Sequence, residues 1–151
     1  MTMRFLLAAA LLAAALPAHA VDTSVLVYGG SYHFDGHGRH ESKYDLNERN
    51  PGVGLEFSQD GWLAGAGMYR DSYRKQAHMA YVGYRWTLGD TQGWHANAAV
   101  KVGYLRGSGY DGPVALPTVG VGYGPVSLEA TVAPRKVNSG GVVAFWLRYQ
   151  F

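Results

Sequence analysis

Residues 141–151 read GVVAFWLRYQF. Successive side chains of a strand point to opposite faces, so Val143, Phe145, Leu147, Tyr149 and Phe151 share one face. Ala144, Trp146, Arg148 and Gln150 share the other. A water-soluble sheet would bury the apolar face in a core. A transmembrane barrel would turn that face to lipid and make the polar face its lumen.

The start of the chain favours the barrel. Arg4 supplies a positive charge, residues 5–16 form an apolar run of Leu and Ala, and Ala18-His19-Ala20 is an A-x-A cleavage site. Residues 1–20 therefore read as a secretory signal peptide and residues 21–151 as one mature domain. That run is too short to span a bilayer as a helix, and no apolar segment of comparable length follows it. The mature part, 131 residues, is long enough for one core and too short for two. Its net charge of about +1 argues against a nucleic-acid partner, which requires a basic face. The absence of cysteine leaves an exported chain without a disulfide. Closure of a barrel in lipid is another source of stability. With 21 glycines, 11 tyrosines and 4 tryptophans, and no helical periodicity after the leader, the composition indicates an all-β protein.

Eight segments read as strands, at 24–34, 52–57, 62–72, 76–88, 94–105, 115–123, 126–133 and 141–151. An even number suits an antiparallel outer-membrane barrel. The fifth places Trp94, Ala96, Ala98, Val100, Val102 and Tyr104 opposite His95, Asn97 and Lys101. The seventh places Val126, Leu128, Ala130 and Val132 opposite Ser127, Glu129 and Thr131. Connections at 58–61, 89–93 and 124–125 are short, whereas 35–49, 106–114 and 134–140 are long and polar or Gly-rich. Short periplasmic turns and long external loops give this asymmetry, which a secreted sandwich does not need. Tyr28, Tyr104, Tyr123, Tyr149 and Phe151 fall near strand ends, where an aromatic girdle would lie. The fold expected is an eight-stranded antiparallel transmembrane β-barrel in the outer membrane of a Gram-negative bacterium.

Barrel topology would bring His33, at the outer end of the first strand, near Asp71 and Ser72, at the outer end of the third. An imidazole, a carboxylate and a hydroxyl are the parts of acyl transfer, although at strand ends they are more often solvated turn residues. His33, His37 and His40 form an H-x-x-x-H-x-x-H run with no second ligand set, so neither a metal nor a cofactor is expected. Arg39, Lys43 and Arg49 could attract anions. His95, Lys101, Glu129 and Arg148 read as a paired ionic network in the lower lumen.

Residues 122–151, GYGPVSLEATVAPRKVNSGGVVAFWLRYQF, resemble the carboxy-terminal part of the lipid A palmitoyltransferase (PagP) family of the outer membrane. GYGPV, Pro134, Asn138, Gly140 and the terminal W-x-R-x-Q-F-like ending fall in step without gaps. Asn47-Glu48-Arg49 resembles the family's Y-N-E-R-P-W segment and Asp71-Ser72-Tyr73 its D-S-W. His33 precedes Asn47 by the interval at which the family's catalytic histidine precedes its N-E-R. The resemblance implies a barrel that moves a palmitoyl chain from a phospholipid donor to lipid A, with catalytic roles on His33, Asp71 and Ser72. It places the family's acyl-chain ruler at Gly83, counting from Asp71, or at Arg85, matching G-Y-G-W to Gly83-Tyr84-Arg85-Trp86. A monomer is expected.

Tyr32, Tyr73 and the Asn50-Pro51-Gly52 run depart from the family pattern. The short stretch before His33 leaves no room for the amphipathic helix that precedes the family's barrel. A non-enzymatic small barrel with a structural or surface-interaction role is the alternative function.

Overall fold

A computed structural model of the protein describes residues 21–34, 46–134 and 141–151. The leader, His37, Arg39, His40, Lys43, Asn138 and Gly140 lie outside the described residues. The eight expected strands are present as β1 (Asp22–Phe34), β2 (Arg49–Gln59), β3 (Trp62–Arg70), β4 (Gln76–Gly89), β5 (Trp94–Gly107), β6 (Tyr110–Tyr123), β7 (Val126–Ala133) and β8 (Gly141–Gln150). They pair antiparallel in chain order and close through β1 and β8.

Alternation sets the two surfaces. Phe145, Leu147 and Tyr149 of β8 point out of the barrel with Val100 and Val102 of β5 and Leu128 of β7, while Trp146, Arg148, Lys101 and Glu129 are buried inside. This outward apolar band suits hydrocarbon, because closure pairs each strand with two neighbours. Trp62, Tyr84 and Trp86 stack edge-on at the short-turn end, as do Trp94 with Tyr123 and Tyr149 with Phe151. Tyr28 does not join this girdle. It is buried in the lumen, against Tyr69 and Trp146. Gly54 and Gly67 make room for it, since a Cβ at Gly67 would stand 2.5 Å from the Tyr28 hydroxyl.

The ladder shifts register between Tyr28 and Gly30. Unbroken alternation from the inward Tyr28 would carry Tyr32 and Phe34 into the lumen and turn His33 to lipid. Across the bulge the phase reverses. Tyr32 is 60% and Phe34 41% exposed, and the His33 side chain is only 8% exposed. One irregularity in β1 thus brings His33 into the barrel mouth.

The long loop expected at 106–114 is instead a continuation of the β5–β6 hairpin. Arg106 pairs with Asp111 and Gly107 with Tyr110 around a turn at Ser108-Gly109, both with positive φ (56° and 76°). Two left-handed residues make the tight turn whose twist matches the strands, so the Gly-rich stretch extends the ladder. The β6–β7 ladder, in contrast, is paired only from Thr118–Thr131 down to Tyr123–Val126. Pro117 lacks the N–H that continued pairing needs, and its carbonyl accepts from the Thr131 hydroxyl at 2.6 Å.

Candidate active site

At the outer rim, His33 Nε2 lies 2.9 Å from Ser72 Oγ. The two come from β1 and from the turn after β3, 39 residues apart. A third segment joins them. The Asn47 N–H donates to the Ser72 carbonyl (2.8 Å) and its side-chain amide to the Asp71 carbonyl (3.1 Å). The next residue, Glu48, accepts at its carbonyl from the Ser31 N–H (3.0 Å) and at Oε1 from the His33 N–H (3.3 Å). Its carboxylate stands 3.7 Å from His33 Nδ1. The Asn47-Glu48 segment therefore fastens the serine turn to the histidine strand.

The Asp71 carboxylate is turned to the backbone. Its Oδ1 accepts from the backbone N–H groups of Tyr73 (2.9 Å) and Lys75 (2.8 Å), and its Oδ2 from that of Ser108 (2.7 Å). These bonds fold the turn that carries Ser72 and tie it to the β5–β6 hairpin. Among the described residues, Glu48 brings a carboxylate beside the imidazole. Glu48 stands inside the Asn47-Glu48-Arg49 motif, but nothing in its spacing measures a distance to His33.

Below this pair a cavity opens into the upper barrel. Ser72 borders its mouth, Met79, Leu105, Val114 and Leu116 form its apolar walls, and Tyr81, Lys101 and Trp146 close its floor. Neither Gly83 nor Arg85 borders it. At Gly83 a Cβ would stand 2.2 Å from the Val100 carbonyl, so glycine serves close strand approach there. Arg85 lies beneath the floor and lines a second, polar vestibule at the short-turn end.

The floor rests on an ionic network. Glu56 accepts from Arg85 Nη2 (2.6 Å), Lys101 Nζ (2.8 Å) and the Tyr81 hydroxyl (2.8 Å). Glu129 accepts from Arg148 Nε (2.8 Å), Trp146 Nε1 (3.0 Å) and Arg85 Nη2 (3.2 Å). Lys101 Nζ also sits over the rings of Tyr81 (4.7 Å) and Trp146 (5.1 Å). The lumen positions of Lys101, Glu129 and Arg148 follow the sequence reading, and Glu56 and Arg85 complete the set. His95, also buried, meets it through Ser127, whose Oγ lies 3.0 Å from His95 Nε2 and accepts from Arg148 Nη2 at 3.0 Å.

This arrangement can hold an apolar chain in the upper half of the barrel with its polar end against an imidazole and a hydroxyl. A family model described as "Antimicrobial peptide resistance and lipid A acylation protein PagP" matches residues 17–148. "Lipid A acyltransferase PagP" of Shigella boydii serotype 4 is 31% identical over 115 residues, 70% of this chain and 62% of the relative. "Lipid A acyltransferase PagP" of Cronobacter sakazakii is 33% identical over 88 residues, 55% of this chain and 46% of the relative. "Lipid A palmitoyltransferase PagP" of Escherichia coli K12 is 31% identical over 88 residues, 55% of this chain and 47% of the relative. The chain thus spans about half to three-fifths of the length of the curated relatives it matches. With a closed eight-stranded barrel that fits the outer membrane and a family match over most of its length, the chain belongs to the PagP family.

Proposed function

We propose that the protein transfers a fatty acyl chain from a phospholipid to lipid A. The observation that carries this reading is the His33 Nε2···Ser72 Oγ contact at the mouth of an apolar cavity that Ser72 itself borders. The donor reaches the cavity from the side, through the wall above Thr118–Thr131 where β6 and β7 are not paired. Each methylene that leaves water contributes about 0.8 kcal/mol, so the walls hold the chain while the ester stays at the rim.

His33 Nε2 then removes the proton from the acceptor hydroxyl, whose oxygen attacks the ester carbonyl. Ser72 Oγ–H turns to the carbonyl oxygen and stabilises the negative charge that develops on it. The bond from the acyl carbon to the glycerol oxygen breaks, and that oxygen leaves with the proton held by His33. One ester is exchanged for another, and the imidazole returns to its starting state. Asp71 and Asn47 hold the Ser72 turn, and Glu48 orients the ring of His33.

Lipid A from a host expressing the intact protein is expected to gain the mass of one acyl group in a mass spectrum. A spectrum without that gain rejects the proposal.

Two further outcomes follow from the geometry. Glu48→Gln removes the carboxylate charge beside the imidazole and is expected to lower kcat roughly tenfold or less, with donor KM unchanged, since a half-exposed pair is worth about 1 kcal/mol. A steady-state assay in detergent micelles checks this, and a rise confined to KM would count against an orienting role. Val114→Phe adds a ring to the cavity wall and is expected to shift selectivity towards shorter chains, with each excluded methylene worth roughly 1–3 kcal/mol. Competition between donors of graded chain length measures it, and an unaltered length profile would place the chain elsewhere.

A further inference from the structure

The upper cavity is not uniformly apolar. Ser31 Oγ and Asn50 Oδ1 both belong to residues that border it, and both atoms are buried without a hydrogen-bonding partner. Asn50 is 7% exposed and its amide is already fixed, donating from Nδ2 to the Arg70 carbonyl at 2.8 Å, so Oδ1 is held as a pure acceptor. Ser31 and Asn50 lie on adjacent strands, on either side of the Gly30–Arg49 pairing. Ser31 stands two residues below His33 on the inward phase that follows the bulge, a distance of about 7 Å along the strand. Burying polar atoms in this way is unfavourable unless an occupant bonds to them.

The occupant's chemistry follows from what the two atoms lack. Asn50 Oδ1 can only accept, and Ser31 Oγ can both donate and accept. An alkyl chain satisfies neither, and a carbonyl oxygen satisfies Ser31 alone. A hydroxyl can donate to Asn50 and accept from Ser31. Its place just inside the mouth, below the reacting pair, puts it a few carbons from the ester. We infer that the cavity takes an acyl chain bearing a hydroxyl near its carboxyl end, a 3-hydroxyacyl group, with Ser31 and Asn50 as its subsite. This rests on the reading of the cavity as an acyl-binding well, but the subsite can be tested without turnover.

The test is binding of free fatty acids to the full-length protein refolded in detergent, with no acceptor lipid present, followed by displacement of a fluorescent alkyl probe. 3-Hydroxydodecanoate is expected to bind about tenfold more tightly than dodecanoate, the effect of two net hydrogen bonds. Ser31→Ala and, separately, Asn50→Leu are expected to reduce that preference to twofold or less. Retention of the heat-modifiable gel shift identifies variants that have folded. Equal binding of the two acids by the parent protein overturns the inference. So does a preference that survives Ser31→Ala, or one that favours a hydroxyl at the far end of the chain. A preference seen only after lipid A is added would assign the hydroxyl to the acceptor and equally overturn it. Loss of acyl transfer with the hydroxy-acid preference intact would instead count against the proposed reaction and leave the subsite standing.

Discussion

Ser72→Ala is expected to lower acyl transfer by two to three orders of magnitude, and lipid A from cells expressing it is expected to keep its unmodified mass. The substitution removes a hydroxyl that reaches both the His33 imidazole and the cavity mouth. Loss of a single hydrogen-bond donor to a developing oxyanion costs about 2.7–4 kcal/mol of barrier. His33→Ala is expected to be at least as damaging, because it removes the proton carrier as well. Both residues lie at the rim, away from the ionic network, so both variants should still close as barrels. Intact lateral mobility on a gel with lost activity is the diagnostic combination. A Ser72→Ala protein that modifies lipid A at the parent rate would take chemistry away from this site. Asp71→Ala is a useful contrast. Three backbone N–H groups lose their acceptor, so its defect should include loosening of the 71–75 turn and not activity alone.

The largest expected effect on stability lies in the lower lumen. Glu129 is 0% exposed and bonds Arg148, Arg85 and the Trp146 indole. Glu129→Ala leaves Arg148 without the carboxylate it bonds, and leaves Arg85 with Glu56, which Lys101 also shares. Breaking a buried ion pair from one side is worth about 3–5 kcal/mol, because the surviving charge is left uncompensated. Urea unfolding in detergent or lipid vesicles is expected to show a loss of that size. A paired change that removes Glu129 and Arg148 together is expected to recover part of it. A loss below 1 kcal/mol for Glu129→Ala would mean that the network contributes little to barrel stability. The network also shapes the site, since Lys101, Tyr81 and Trp146 form the cavity floor and are each held by Glu56 or Glu129. A collapsing floor should therefore broaden chain-length selectivity before the barrel unfolds.

The sequence determined the architecture because the side-chain period of a strand is local. Eight alternating segments in GVVAFWLRYQF and its counterparts specify which residues meet lipid and which meet the lumen, and nothing distant is needed to read them. The lumen positions of Lys101, Glu129 and Arg148 were legible for the same reason. Where the local signal ended, tertiary structure decided. Alternation from Tyr28 turns His33 towards lipid, and only the register shift after Tyr28 reverses that phase. The hairpin turn at Ser108-Gly109 read as a loop because glycine marks flexibility and a left-handed turn equally well. The Glu48 contact with the imidazole was hidden for a deeper reason. Glu48 and Asp71 are both acidic residues in motifs of this chain, but the 3.7 Å approach of Glu48 to His33 and the bond of Asp71 to the Ser108 N–H, 37 residues away, exist only when the strands are assembled. A face can be read from a period of two residues, whereas a distance between strands exists only once the sheet has closed on itself.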